Sequence, residues 1–122
     1  MSAQTRMVVA GLSAVAARAI QGTVANNLTA TGSTQATALA LPADICKFTT
    51  VAASTGAIIP PSNPTDSGTV YNGGANALSL YPPVGGTING LSANAAYSIA
   101  TATPFVDWWC IDPLTYIASQ SA

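Results

Sequence analysis

Histidine and glutamate are both absent from this chain, and charge of either sign is scarce. The charged side chains are Arg6, Arg18, Lys47, Asp44, Asp66, Asp107 and Asp112, 6% of the residues against a usual share of about 25%. General acid–base catalysis needs a group that titrates near the working pH, most often His or a paired carboxylate. A Ser or Cys nucleophile needs a base beside it, and metal sites draw on His, thiolate or clustered carboxylates. Any of these would consume nearly the whole charged inventory at one point. The sequence is read as that of a structural or binding protein, not an enzyme, with no cofactor and no metal. Lys47 stands without a surrounding motif, and Asp107 and Asp112 sit at a strand end with no feature that distinguishes an acid from a base.

Two partner classes are also not expected. Binding a phosphate backbone takes a cluster of Lys and Arg, and three scattered basic residues with a net charge of −1 do not form one, so no nucleic acid partner is expected. No apolar run reaches the roughly 20 residues of a membrane-spanning helix, so no membrane partner is expected either.

What the chain does have is small and uncharged. Ala, Thr and Ser make up 50 of its 122 residues. A soluble monomer ordinarily keeps its surface charged and free of apolar patches. A surface this poor in charge is expected to be covered by other protein, and the chain is expected to form a homo-oligomer, a trimer before a dimer.

The chain length fits one domain. Residues 1–34 read as an N-terminal arm and linker, and residues 35–122 as the β-domain. In the arm, Leu12, Val15, Ala16, Ala19 and Ile20 fall on one helical stripe, while Met7-Val8-Val9 favours an extended conformation, so either an arm or a short helix is expected. The Ala-diluted apolar run after Arg6 imitates a signal peptide without the usual composition. Residues 26–35 are polar and read as linker. Without export, Cys46 and Cys110 are expected as reduced, buried thiols, and the sequon Asn27-Leu28-Thr29 as a chance match.

Beyond residue 35 the chain is punctuated at short intervals by Asn-Gly, Gly-Gly, Pro-Pro and single prolines. Strands are predicted over residues 35–41, 46–52, 57–59, 69–72, 77–81, 87–88, 96–100, 105–111 and 115–118, with a turn cluster over 62–68. That spacing predicts an all-β fold, a β-sandwich or jelly roll. In the last long strand, Phe105, Asp107, Trp109 and Ile111 share one parity, and Val106, Trp108 and Cys110 the other. Both faces are apolar apart from Asp107. One tryptophan is expected in the core and the other under a second layer.

The run from Thr49 to Pro60 (Thr-Thr-Val-Ala-Ala-Ser-Thr-Gly-Ala-Ile-Ile-Pro) and that from Val70 to Leu91, with its Asn72-Gly73-Gly74-Ala75-Asn76 and Pro82-Pro83-Val84-Gly85-Gly86-Thr87-Ile88-Asn89-Gly90, resemble a pattern in small tailed-bacteriophage virion proteins. The resemblance covers about residues 45–117. These are proteins of the capsid decoration (cement) type or fibre modules on β-sandwich or jelly-roll folds. The chain departs from the pattern at Thr101-Ala-Thr-Pro104 and in the heavy Trp108-Trp109 pair. In physical terms, the Asn-Gly pairs are expected to supply positive-φ turn residues.

The resemblance implies a virion structural protein, made in the host cytoplasm and placed on the capsid exterior, whose partners are the major capsid protein and further copies of itself. The residues expected at the capsid or subunit interface are Arg6, Met7, Val8, Val9, Leu12, Val15, Trp108 and Trp109. The alternative is a phage fibre or receptor- and carbohydrate-binding module, in which Tyr71, Tyr81, Tyr97 and Trp108 would stack on sugar rings.

Overall fold

The computed structural model describes residues 23–120. The expected arm or short helix, with Arg6, Met7, Val8, Val9, Leu12 and Val15, lies outside the described residues. The rest is nearly all β. Ten strands run β1 Val24–Thr29, β2 Leu39–Ala40, β3 Ile45–Thr50, β4 Gly56–Ile58, β5 Ser67–Asn72, β6 Leu78–Tyr81, β7 Thr87–Ile88, β8 Tyr97–Ile99, β9 Phe105–Asp112 and β10 Thr115–Gln120, with one 3-10 turn at Gln35–Thr37. They form a six-stranded sheet, ordered β1-β3-β5-β9-β10-β7, and a four-stranded sheet, ordered β2-β4-β6-β8.

Up to β6 the chain alternates between the sheets, strand by strand, and each strand pairs in parallel with the one two before it. Parallel neighbours cannot be joined by a tight turn and need a crossover; here every crossover passes through a strand of the other sheet. The chain then reverses. β8 pairs antiparallel with β6, β9 antiparallel with β5, and β10 turns back on β9 before running parallel to β7. Jelly rolls are built from antiparallel Greek keys, so the parallel ladders of residues 24–81 are a departure from that pattern.

Residues 24–29, assigned from the sequence to the arm and, from residue 26, to the linker, are an edge strand instead. β1 lies beside β3 with two register irregularities and a positive φ of 56° at Asn27, a conformation Asn tolerates better than most residues. Bulges of this kind blunt a sheet edge. Only Leu28 of this strand packs against the core, so no apolar alternation marks it in the sequence. Likewise, the strand expected from residue 35 begins as a 3-10 turn, and only Leu39–Ala40 pairs.

One buried cluster draws on both sheets. Cys46, Phe48, Val70, Val106, Cys110 and Tyr116 come from the six-stranded sheet, and Ala57, Leu78, Leu80 and Ile99 from the other. The two cysteines are free. Asn89 (φ 51°) and Gly90 (φ 75°) form a hydrogen-bonded turn, Leu91 N–H to Ile88 O, as their sequence demands. They do not close a hairpin, because β7 pairs with β10. Gly73-Gly74 is no positive-φ turn at all; a Cβ on Gly74 would lie 2.6 Å from the Val51 backbone nitrogen, so this glycine is required by close approach.

Candidate protein-docking face

The inward row of β9, Val106, Trp108 and Cys110, is buried, and the outward row, Phe105, Asp107, Trp109 and Ile111, is exposed. The alternation of a strand places the two tryptophans on opposite sides, and the partners decide which is inside. Trp108 is only 5% exposed. Its ring lies 6.1 Å from that of Tyr116, and the cross-strand position opposite it is Gly68, where a Cβ would fall 2.7 Å from the indole nitrogen. The expectation of Trp108 at an interface is therefore corrected: the ring belongs to the core, and only its edge reaches the surface, in a groove beside Pro42, Asp44, Pro60 and Ser67. Trp109 remains 39% exposed and keeps its candidacy.

Register extends the outward row across the sheet. Val24 lies beside Ile45, Ile45 beside Thr69, and Thr69 beside Asp107. One row away, Trp109 stands between Ser67 and Ile117, and on the other side Lys47, Tyr71 and Phe105 follow one another. Val24, Ile45, Phe105, Trp109, Ile111 and Ile117 are all exposed, so the outer surface of the six-stranded sheet carries apolar side chains on both sides of the polar run Thr69, Asp107 and Ser119. Shallow grooves run along it, one between Ile45, Thr69, Asp107 and Trp109, another past Val24, Lys47, Tyr71 and Phe105, and a third past Pro64, Trp109, Ile111 and Ile117. Exposed apolar patches on this scale mark interaction sites.

Lys47 and Asp107 are the charges within the face, and Asp44 lines the groove at its edge. Lys47 Nζ lies 6.0 Å from the centre of the Tyr71 ring, within range of a cation–π attraction, and Tyr71 and Phe105 meet as a tilted pair at 4.7 Å. Asp107 Oδ1 accepts a hydrogen bond from Thr69 Oγ1 at 2.6 Å. The other carboxylates are engaged in turns and strand ends. Asp44 accepts from the Thr23 N–H, Asp66 from the Asn63 N–H and Asp112 from the Leu114 N–H. No group of three metal-ligating side chains occurs among the described residues, and none of their helices is long and apolar enough to cross a membrane. Tyr81 and Tyr97 lie on the four-stranded sheet, away from this face, so the aromatics named from the sequence for sugar stacking do not form one platform. The sequence reading missed Ile45, Phe105 and Ile117 as surface groups. A strand apolar on both faces gives no sign of which side is out.

Protons weakly held in the unfolded chain govern the pH dependence. Burial pushes the Cys46 thiol up, opposed by a backbone hydrogen bond at Ala43 and reinforced by the charge of Asp44. Burial likewise raises the Tyr97 and Tyr116 hydroxyls. A group whose folded pKa is raised contributes its stability below the unfolded value and loses it as the pH climbs through the folded one. With no histidine to titrate near 6.5, the melting temperature is expected to stay level between pH 6 and about 8. It is expected to fall once the pH passes the ordinary thiol value of about 8.5. Calorimetric scans across that range check this; a fall between pH 6 and 7 would contradict it.

No family model matches the chain, and no curated protein or solved structure matches it.

Proposed function

We propose that this chain is a bacteriophage virion structural protein, a decoration or cement protein that binds the outside of the assembled capsid shell and stabilises it. The observation that carries this reading is the set of exposed apolar side chains on the outer side of the six-stranded sheet, Trp109 among them, on a chain that is only 6% charged. The sequence pattern over residues 45–117 supports it, and the two sheets around one core are read as the layers of a β-sandwich. A partner that binds only the assembled shell stabilises it by mass action, and many weakly held copies add across a lattice. The major capsid protein and further copies of this chain, a trimer before a dimer, are the proposed partners. Residues 6–15 of the arm, through Arg6, Met7, Val8, Val9, Leu12 and Val15, add to the contact.

The pair of half-buried Tyr71 and exposed Phe105 beside Lys47 favours a second reading, a fibre or receptor- and carbohydrate-binding module. Co-sedimentation separates the two. The chain is expected to pellet with capsid shells and to pass through immobilised glycans. Trp109→Asp, in the middle of the face, is expected to weaken shell binding by roughly 30-fold or more, the about 2 kcal/mol of an interface hot spot, with an unchanged melting temperature. Full-length protein that stays in the supernatant while glycan retains it would replace the first reading by the second.

A further inference from the structure

We infer that the groove at the edge of Trp108 is a second binding site, which takes an arginine side chain and its backbone carbonyl from an extended segment of a partner protein. It lies apart from the outer face of the six-stranded sheet. Three observations support it.

The first is a donor with no acceptor inside the chain. Trp108 is 5% exposed, yet its Nε1–H makes no hydrogen bond to the described residues. None of their side-chain nitrogens or oxygens is both sealed from water and without a partner, so Nε1 opens onto the groove that Trp108 lines. A buried indole N–H ordinarily finds an acceptor; this one is offered to a visitor. Tyr116 and Gly68 lie against the ring, so the groove meets a donor at the ring's edge and no flat face on which a sugar would stack.

The second is construction. The groove holds about 580 Å³ and lies where the chain crosses between the sheets. The ends of β2 and β4 contribute Leu41, Pro42, Pro60 and Pro61, and the starts of β3 and β5 contribute Asp44 and Asp66. The prolines fix their own φ angles. The Asp44 carbonyl accepts the Thr69 N–H and the Asp66 carbonyl the Cys110 N–H, both at 2.8 Å. A site held in this way has little ordering left to do when a ligand arrives.

The third is charge. Asp44 and Asp66 line the groove with no cation beside them, and Lys47 lines a different one. Asp44 Oδ2 accepts the Thr23 N–H at 2.9 Å and Asp66 Oδ2 the Asn63 N–H at 2.8 Å. These bonds orient the carboxylates and leave each Oδ1 without a partner among the described residues. Ile45 pairs with Thr69, which sets Asp44 and Asp66 one strand spacing and two residues apart, about 8 Å between Cα atoms. A guanidinium, with five donors in a planar fork, suits two such acceptors. A metal ion does not, since no third ligand joins them among the described residues.

The probe is the blocked tripeptide Gly-Arg-Gly, titrated into the nitrogen-15-labelled full-length chain. Trp109→Phe leaves a single indole N–H signal and so assigns that of Trp108. This signal is expected to shift and saturate with a Kd on the order of 1 mM, rising at least threefold as salt goes from about 0.05 to about 0.5 M. Citrulline in place of arginine keeps the shape without the charge and is expected to bind at least tenfold more weakly. The double variant Asp44→Asn, Asp66→Asn is expected to lose as much while its melting temperature holds, because each amide oxygen still accepts its N–H. No saturable shift, an equal response to the citrulline peptide or an equal affinity in the double variant would overturn the proposal. A shift produced by maltose and not by the arginine peptide would overturn it too, and make the groove a sugar site. Shell co-sedimentation reads the outer face separately: a chain that binds the peptide and never pellets with shells leaves this inference standing, and one that pellets but ignores the peptide defeats this inference alone.

Discussion

Trp108→Ala is expected to destabilise the protein by about 3–5 kcal/mol, the range for truncating a large buried aromatic, while Trp109→Ala, one residue on, changes stability by less than about 1 kcal/mol. The two share sequence context and differ in what surrounds them. Trp108 fills the space above Gly68 and leans on Tyr116; its removal leaves a cavity between strands too firmly paired on both sides to collapse into it. Trp109 faces outward beside Ser67 and Ile117 and loses only partial burial. Gly68→Ala tests the same packing from the other side, since its Cβ would press on the indole and on the Asp44 carbonyl at 2.9 Å. Urea unfolding of the variants measures the difference. Equal losses for the two tryptophans would mean that the outer face is packed within the folded domain and is not a docking surface.

Asn72→Ala is expected to cost about 3 kcal/mol or more, and Asn72→Asp more still. Asn72 is 2% exposed and is the sole buried polar side chain among the described residues. Its Nδ2 donates to the carbonyls of Asn76 and Ile99, both at 2.9 Å, and its Oδ1 accepts the Gly74 N–H at 3.1 Å. Ile99 belongs to the four-stranded sheet and Asn72 to the six-stranded one, so this side chain ties the two together. Alanine strands one donor and two acceptors, at about 1–3 kcal/mol for each group left without water. Aspartate adds a charge that faces two carbonyl oxygens and cannot donate to either when ionised. At about 3–6 °C per kcal/mol for a chain of this size, the alanine variant should melt about 9–18 °C lower. A thermal scan in which Asn72→Ala matched the parent would show that water reaches these groups.

Asn72 also marks the limit of what residue type reveals. In the sequence it opens Asn72-Gly73-Gly74 and reads as a turn residue, yet it ends β5 as a buried anchor, and its neighbouring glycines serve close packing against Phe48 and Val51. Asn89-Gly90, the same pairing of residue types, is a positive-φ turn. The dipeptide alone does not distinguish the two, because burial and hydrogen-bond partners come from elsewhere in the chain.

Residue type and spacing sufficed for the β class, the position of nearly every strand beyond residue 38, the buried, unpaired cysteines and the scarcity of chemistry-bearing groups. Those properties are local or compositional: turn residues impose their φ angles on immediate neighbours, and an inventory without histidine or glutamate is the same in any fold. Strand order, the parallel ladders, the recruitment of residues 24–29 as an edge strand and the choice of Trp108 over Trp109 for the core follow from long-range contacts. Each depends on partners distant in sequence, as Thr69 on Asp107 and Thr87 on Thr115. An alternating strand reports that it has two faces, but where both are apolar the side turned inward is chosen by what the rest of the chain lays against it.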